Sequence, residues 1–365
     1  MAGSKRVRLF AENLAGSNSV QVLVIGKDNG ANSNVGELNG VSYKLCNFSR
    51  VQTIFGYAKA IKALKPEYKS GLKNVIVIYD GIGLTNSIFA KVGRKLGYKI
   101  VTDVVEDYNV HEEDTGILLT LLHKINSRVE KNISKLVDGI AVISSRLRNK
   151  FEKLGVESGN IEQIAICAEN VNFTYKEPRH DSASFTFLYS GSYANRDSVD
   201  IVIKAFKRLL QRKQNIHLLL GGAINDTIME MIRGQANIKY AGMVADKMYY
   251  DFLNSADALL VTRTNSEYSN AGFPFKLGEY LATGKPVIVS PVSDIADYLR
   301  DKEDVIMTDI TSVDAIVKDM EYLIDNPLEA LKIGQSGQNK CRLYFNPKTN
   351  TEKLEVFLNK ICVSD

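Results

Sequence analysis

The sequence predicts an α/β protein made of two parallel-sheet domains in tandem. Short runs rich in Val and Ile alternate with amphipathic stretches. The alternation occurs twice, on either side of a polar, aperiodic stretch. The 365 residues, at roughly 100–200 per domain, leave room for two separate cores.

In the first half, Val20–Ile25, Asn74–Tyr79, Lys99–Asp103 and Gly139–Ile143 read as strands, being short, apolar and bounded by Gly, Asp or Asn. Val51–Leu64, Thr85–Leu96, Thr115–Lys131 and Ser145–Leu154 read as the helices between them. Such alternation gives a parallel sheet covered on both faces. Asn170–Ser184, which contains Pro178, reads as the interdomain linker. The pattern then restarts. Phe185–Ser190, Ile216–Leu220, Ile238–Tyr240, Asp257–Val261 and Pro286–Ser290 read as strands. Ser198–Arg212, Asp226–Arg233, Asp246–Ser255 and Phe275–Thr283 read as the helices among them. Ser312–Phe345 reads as helical, and Asn350–Ile361 as a last helix. The expected architecture is two Rossmann-like domains, 1–175 and 176–345, facing across a cleft. Residues 346–365 are expected to pack back toward the first domain. Ligands of such sheets bind at the carboxyl ends of the strands, so the interdomain cleft is the default site.

Composition excludes several classes. Hydrophobic residues make up 45% and charged residues 24%, which is ordinary globular usage. No apolar run approaches the roughly 18 residues of a membrane span, and the start has no signal-peptide core. Cys46, Cys167, Cys341 and Cys362 lie far apart, which suits a reducing cytosol better than a disulfide framework or zinc knuckle. Residues 1–175 hold 23 Lys/Arg against 17 Asp/Glu, and the remainder holds 23 against 25. The basic clusters, among them Lys91, Arg94, Lys95 and Lys99, read either as solvated helix faces or as a surface for an anionic membrane or phosphorylated acceptor. No nucleic-acid signature accompanies them.

Familiar nucleotide motifs fail on inspection. No Gly-x-Gly-x-x-Gly follows a strand. Gly278 to Pro286 has the wrong spacing for a P-loop, and Pro286 stands where Ser or Thr would bind magnesium. There is no Asp-x-Asp, and His111, His123, His180 and His217 lack metal-ligand spacing. No metal or cofactor is expected.

The informative stretch is RTNSEYSNAGFPFKLGEYLATGKPVIVS, residues 263–290. Pro274 is placed to open a helix, Leu277 and Leu281 mark its buried stripe, and Gly284 ends it. An Asn/Gly loop before a helix start is an anion site, because free N–H groups point out of it. Lys276 in the first turn opposes the helix dipole unless an anion faces it. Glu279 is placed to accept hydrogen bonds from a ribose diol. The competing reading is a solvated Lys276–Glu279 pair worth on the order of 0.3 kcal/mol.

The segment FPFKLGEYLATGKPVIVS resembles the donor-site signature of retaining glycosyltransferase family 4, of GT-B fold, in its bacterial branch. FLYSGSYANRDSVDIVIKAFKRLL resembles the opening of that family's donor domain, and LVDGIAVISSRLRNKF the last βα unit of its acceptor domain. YAGMVADKMYYDFLNSADALLV resembles the base-binding loop, at Gly242, Met243 and Val244, with the following helix. The resemblance implies a hexosyltransferase-like enzyme of polysaccharide biosynthesis. It would move sugar from a nucleotide diphosphate sugar to a glycan, lipid-linked or other hydroxyl acceptor, with retention and without a metal. Glu279 matches the ribose-binding second glutamate of the family's Glu-x7-Glu motif. Lys276, Asn270, Ala271 and Gly272 would lie by the diphosphate and sugar, and Gly191 matches the glycine after the first donor strand. Two departures stand out. The first glutamate falls at Ala271. The family's loop Arg and Lys fall at Ser192 and Asp197, leaving Arg196 and Arg263 as candidates to supply the charge.

In KIVTDVVEDY, Glu106 and Asp107 fall where the family often has His-Asp, and read as acceptor-orienting carboxylates. They read equally as part of a helix N-terminal acid cluster with Glu112, Glu113 and Asp114. GSKRVRLFAENL resembles the family's first helix with its preceding strand missing, so the N-terminal sheet is expected to lack its first strand through a late start or truncation. The expected location is cytoplasmic, peripheral on the membrane face. A non-catalytic GT-B protein that binds sugar nucleotide or a partner enzyme, and a sugar-nucleotide epimerase, are the alternatives.

Overall fold

A computed structural model describes residues 2–27, 35–48, 60–64, 67–107, 117–169 and 184–363. The chain divides into two compact units, Met1–Ala165 with Pro347–Asp365, and Ile166–Asn346.

The first unit opens with helix α1 (Ala2–Leu14). Strands β1 (Gln21–Lys27), β2 (Val35–Leu38) and β3 (Val41–Phe48) form a sheet of order β1-β3-β2. β1 runs parallel to β3, and β2 antiparallel to it. This sheet corrects the expectation of βα alternation alone. The β2–β3 turn is Asn39-Gly40, both at positive φ (51° and 77°), the conformation a two-residue hairpin turn demands. A second sheet joins β4 (Val75–Tyr79), β5 (Lys99–Val104), β6 (Gly139–Val142) and β7 (Ile161–Gln163), parallel throughout and in chain order. β6 is buried at every position, as an apolar strand covered on both faces must be. β1 and β4 each stand at the end of a sheet. Helices α2 (Leu84–Lys95), α3 (Ile117–Glu130) and α4 (Ser145–Lys153) lie near their expected bounds. Of the expected helix Val51–Leu64, residues 60–64 are described and helical, and 51–59 lie outside the described residues. The expected linker, apart from Ser184, also lies outside them.

The unit is pinned by a buried ion pair. Arg6 Nε and Nη2 donate to the two carboxylate oxygens of Asp103 at 2.8 and 3.0 Å. The same guanidinium donates to the carbonyls of Ala165 and Ile164. A buried charge is tolerated when it is paired and hydrogen-bonded in this way.

The second unit is one parallel sheet of β8 (Phe185–Ser192), β9 (Ile216–Ala223), β10 (Ile238–Tyr240), β11 (Ala258–Val261), β12 (Val287–Val289) and β13 (Ile306–Met307). Its order is β10-β9-β8-β11-β12-β13. Helices α5 (Val199–Leu210), α6 (Asp226–Ile232), α7 (Tyr249–Asn254), α8 (Glu267–Ala271), α9 (Phe275–Ala282) and α10 (Ile295–Tyr298) connect the strands. α11 (Val313–Asp325) and α12 (Pro327–Tyr344) follow. The single helical stretch expected over Ser312–Phe345 is therefore two helices, broken at Asn326-Pro327, because proline opens a helix but cannot continue one. The loop expected after β11 carries α8, capped by Ser266 Oγ accepting from Ser269 N at 3.1 Å. The core packs Val202, Phe206 and Leu209 of α5 against Phe187, Leu218 and Leu220 of the sheet. The last helix, α13 (Pro347–Val363), packs on α1, β5 and β6 within the first unit. No described helix is long and apolar enough to cross a membrane.

Candidate functional site

In the second unit the strand order reverses between β8 and β11. β9 and β10 lie to one side, and β12 and β13 to the other. The carboxyl ends of the two strands at such a switch point form a crevice that binds ligands. β8 ends in Gly191 and Ser192, and β11 runs into Thr262 and Arg263. α9 begins beside them, with Pro274 at its N-cap and no side chain capping its first N–H groups.

Lys276, in the first turn of α9, turns inward and is 16% exposed. Its Nζ donates to Tyr189 Oη at 3.1 Å, lies 4.4 Å from the centre of the Tyr189 ring and is 3.9 Å from the Asp197 carboxylate. These contacts replace the solvated pair with Glu279 as the setting of the ammonium. Burial lowers the Lys276 pKa to about 8. Asp197 and Glu279 oppose that shift, while Arg263 and Arg196 add to it. The Arg196 and Arg263 guanidiniums thus act electrostatically on the same ammonium.

The crevice wall is tightly built. Tyr189 Oη donates to Ser192 O at 2.5 Å, and burial, then Asp197, raise its pKa well above 10, keeping it a hydroxyl. Ser192 Oγ donates to Asp197 at 2.5 Å, and Thr262 Oγ1 donates to Asp197 O. Tyr280 Oη donates to Ser190 O at 3.0 Å and accepts from Ser190 N at 2.9 Å, tying α9 to the end of β8. A Cβ at Gly191 would collide with Lys276 Nζ, so glycine there is the condition for the ammonium to approach the strand end.

The other expected residues are placed as follows. Arg196 stacks over the Tyr268 ring at 4.9 Å, and its carbonyl accepts from Thr264 N. Arg263 N donates to Ser290 Oγ at 2.9 Å. Glu279 is partly buried one turn beyond Lys276, and its charge helps to raise the pKa of Tyr249 and Tyr250, after burial in both cases. The Asn270 amide bonds Asn265 Oδ1 and Ser266 O and accepts from Ser293 N, so it braces the loop. Ala271 is wholly buried, and Gly272 closes α8. Gly242 has φ 74°, and its carbonyl accepts from Gly222 N at 2.9 Å. Met243 beside it is 77% exposed, and Val244 follows on the same loop.

Glu106 and Asp107 follow β5 in the first unit. Asp107 accepts from Lys150 Nζ at 2.7 Å, and Glu130 accepts from the same ammonium at 2.7 Å. Glu106 acts electrostatically on Tyr79. Tyr189 and Tyr280 were not singled out by the sequence reading. Their only local signal is an aromatic in the strand before Gly191 and one just after Glu279. Among the described residues no group of three or more His, Cys, Asp or Glu side chains is arranged to hold a metal ion.

The second unit carries the family resemblance most directly. Residues 184–326 match the family model described as glycosyl transferases group 1. Among solved structures, sucrose-phosphate synthase from Thermosynechococcus elongatus superposes with TM-score 0.76 at 17% identity, covering 98% of this chain and 93% of that one. Anabaena HepE in complex with UDP and glucose gives 0.72 at 14% identity, covering 98% and 96%. A UDP-forming α,α-trehalose-phosphate synthase from Burkholderia xenovorans gives 0.67 at 14%, covering 95% and 100%. No curated protein matches the chain. The fold is the GT-B class of α/β protein, with parallel sheets in both units.

Proposed function

We propose that the protein is a glycosyltransferase that takes its sugar from a nucleotide diphosphate donor bound at the β8–β11 switch point. One observation carries this reading. Lys276 turns inward there at the start of α9, and Arg196 and Arg263 act electrostatically on it, within the segment matching the group 1 glycosyltransferase model. A diphosphate is the ligand whose charge repays the cost of bringing a buried ammonium close to two guanidiniums. As the bond from anomeric carbon to phosphate oxygen breaks, the diphosphate gains negative charge. The three cations and the free N–H groups of α9 stabilise it without reorganising, which is electrostatic catalysis. Glu279 holds the ribose, and the Gly242–Val244 loop lies against the base. HepE is described in complex with UDP, so uracil is the first base to test.

Transfer proceeds with retention and needs no metal. In the first unit Glu106 orients the acceptor hydroxyl, while Asp107, bound to Lys150, steadies the loop beside it. The acceptor is a glycan or lipid-linked hydroxyl, and the basic first unit works at an anionic membrane face from the cytoplasmic side. A non-catalytic sugar-nucleotide binder is the second reading. It is favoured by Ala271, whose buried methyl offers the donor sugar no carboxylate.

A thermal-shift titration with UDP, GDP, ADP and CMP tests the proposal. Ligands that bind only the folded state raise its melting temperature with the logarithm of concentration over Kd. Stabilisation by one nucleotide, followed by release of that nucleotide from its sugar conjugate, is expected. No shift with any of them contradicts the donor site. A shift without turnover for any acceptor supports the second reading.

A further inference from the structure

The Lys276 ammonium is seated on one buried phenol. Tyr189, near the end of β8, is wholly buried. Its Oη accepts from Lys276 Nζ at 3.1 Å, and the same ammonium lies 4.4 Å from the centre of its ring. The hydroxyl has a single proton, and that proton is committed to Ser192 O at 2.5 Å. Oη therefore presents lone pairs to Lys276. An acceptor facing an ammonium makes a charge-assisted hydrogen bond, stronger than one between neutral groups. A purely structural phenol would be satisfied by Ser192 O alone, so the bond from Lys276 is what ties Tyr189 to the crevice.

The ring is locked where it stands. Tyr193 packs edge-on against it, with ring centres 5.4 Å apart and planes at 69°. Tyr193 is fixed in turn, because its Oη donates to Gly221 O at 3.2 Å and its carbonyl accepts from Asn225 Nδ2 at 2.8 Å. Both rings belong to the core of the second unit. Around the ammonium, Gly191 leaves no room for even a methyl group, and the Asp197 carboxylate stands at 3.9 Å. At that distance Asp197 attracts the charge but is too far to direct an N–H. The direction comes from Tyr189. Because the peptide is planar and trans, the bond to Ser192 O also sets the peptide that joins Ser192 to Tyr193. One phenol thus fixes both a cation from α9 and the turn that follows β8.

We infer that Tyr189 is a positioning residue for diphosphate binding. Its hydroxyl, held between Ser192 O and Lys276 Nζ, aims the remaining N–H donors of the ammonium at phosphate oxygens. A long flexible side chain ordered before the ligand arrives loses little further freedom on binding. Tyr189 acts through Lys276 and touches no substrate. The inference deepens the glycosyltransferase reading and rests on it for the identity of the anion.

The test is Tyr189→Phe, which removes one oxygen and keeps the ring and its packing. Calorimetric titrations with UDP, inorganic pyrophosphate and uridine, together with melting curves, compare it with the wild type. UDP and pyrophosphate should each bind at least about tenfold more weakly, the effect of losing a hydrogen bond to a charged group. Uridine, which carries no phosphate, should bind equally well. An unchanged ratio of UDP to uridine affinity overturns the inference, as does a loss that uridine shares. Lysine labelled with 13C at Cε gives a readout that needs no ligand. The Lys276 signal, identified by its absence from Lys276→Arg, should titrate at lower pH in Tyr189→Phe, because the hydroxyl accepts from the charged form. An unmoved midpoint overturns the inference. If the wild type binds none of UDP, GDP, ADP, CMP or pyrophosphate, the donor-site reading fails, and the Lys276 titration still decides whether Tyr189 positions the lysine. If Tyr189→Phe melts far below the wild type, the wild-type spectrum decides. A nuclear Overhauser contact between the Lys276 ε-methylene and the Tyr189 ring is expected, and its absence overturns the inference.

Discussion

The Lys276 ammonium faces the Asp197 carboxylate at 3.9 Å, and Asp197 is itself fixed by Ser192 Oγ at 2.5 Å. The carboxylate favours the charged form of a buried cation in the crevice.

A pH dependence of nucleotide binding follows. The Lys276 pKa is lowered by burial from 10.5 to about 8. A diphosphate binds the charged form better, so affinity should be constant below pH 8 and fall as pH rises through it. Stability of the unliganded protein has the opposite sign. Between about 8 and 10.5 the unfolded lysine holds a proton that the folded one has lost, so this group adds stability as pH rises across that window. Calorimetric titration and melting curves across the window check both. Asp197→Asn removes a group that raises the Lys276 pKa, so the midpoint of the affinity loss should move to lower pH.

Gly191→Ala should cut nucleotide affinity and also lower the melting temperature, because its φ of +158° disfavours any side chain. The new methyl meets the end of a flexible lysine, which swings away and leaves the diphosphate. Gly222→Ala should lower the melting temperature more, with the smaller effect on affinity. There the methyl meets the Gly191 carbonyl at a φ of +108°, where backbone strain costs on the order of 1–3 kcal/mol. Melting and nucleotide titration of the two variants separate these outcomes.

Arg6→Ala should destabilise the first unit severely, by about 3–5 kcal/mol, because it leaves the buried Asp103 carboxylate unpaired. Arg6 also anchors the carbonyls of Ile164 and Ala165, so replacement by Lys should rescue only partly. Urea unfolding followed by hydrogen exchange on α1 and β5 measures it.

Glu106→Gln should lower transfer to the acceptor without changing nucleotide affinity. Asp107→Asn should act chiefly on stability, since its carboxylate is engaged by Lys150. Assays of transfer, nucleotide Kd and melting on both variants tell the two roles apart, and equal activity losses without destabilisation would make the pair act as one.

Much of this was legible in the sequence where the signal is local. The strands of the second unit are short continuous apolar runs, because a strand buried on both faces must be apolar throughout. Pro274 and Gly284 punctuate α9, which placed Lys276 and Glu279 a turn apart. The β2–β3 hairpin was missed although Asn39-Gly40 announces it, because VGEL and VSYKLCNF mix polar and apolar residues too evenly for an apolar-run reading. The role of Tyr189 was not legible. Its hydroxyl meets Lys276 across 87 residues of chain, and only the strand order brings β8 and α9 together. Asp197 shows the same limit. Its sequence position suggests a lost cation, and its function as the partner of Lys276 appears only once α5 and α9 are placed.

The most direct measurement is calorimetric titration of UDP into the wild-type chain and Glu279→Ala. If the switch-point crevice holds a nucleotide diphosphate with its ribose on Glu279, the variant should bind at least about tenfold more weakly, 1.4 kcal/mol, with an unchanged melting curve. Equal affinity in the two proteins, or no binding to the wild type by UDP, GDP, ADP or CMP, would contradict that assignment.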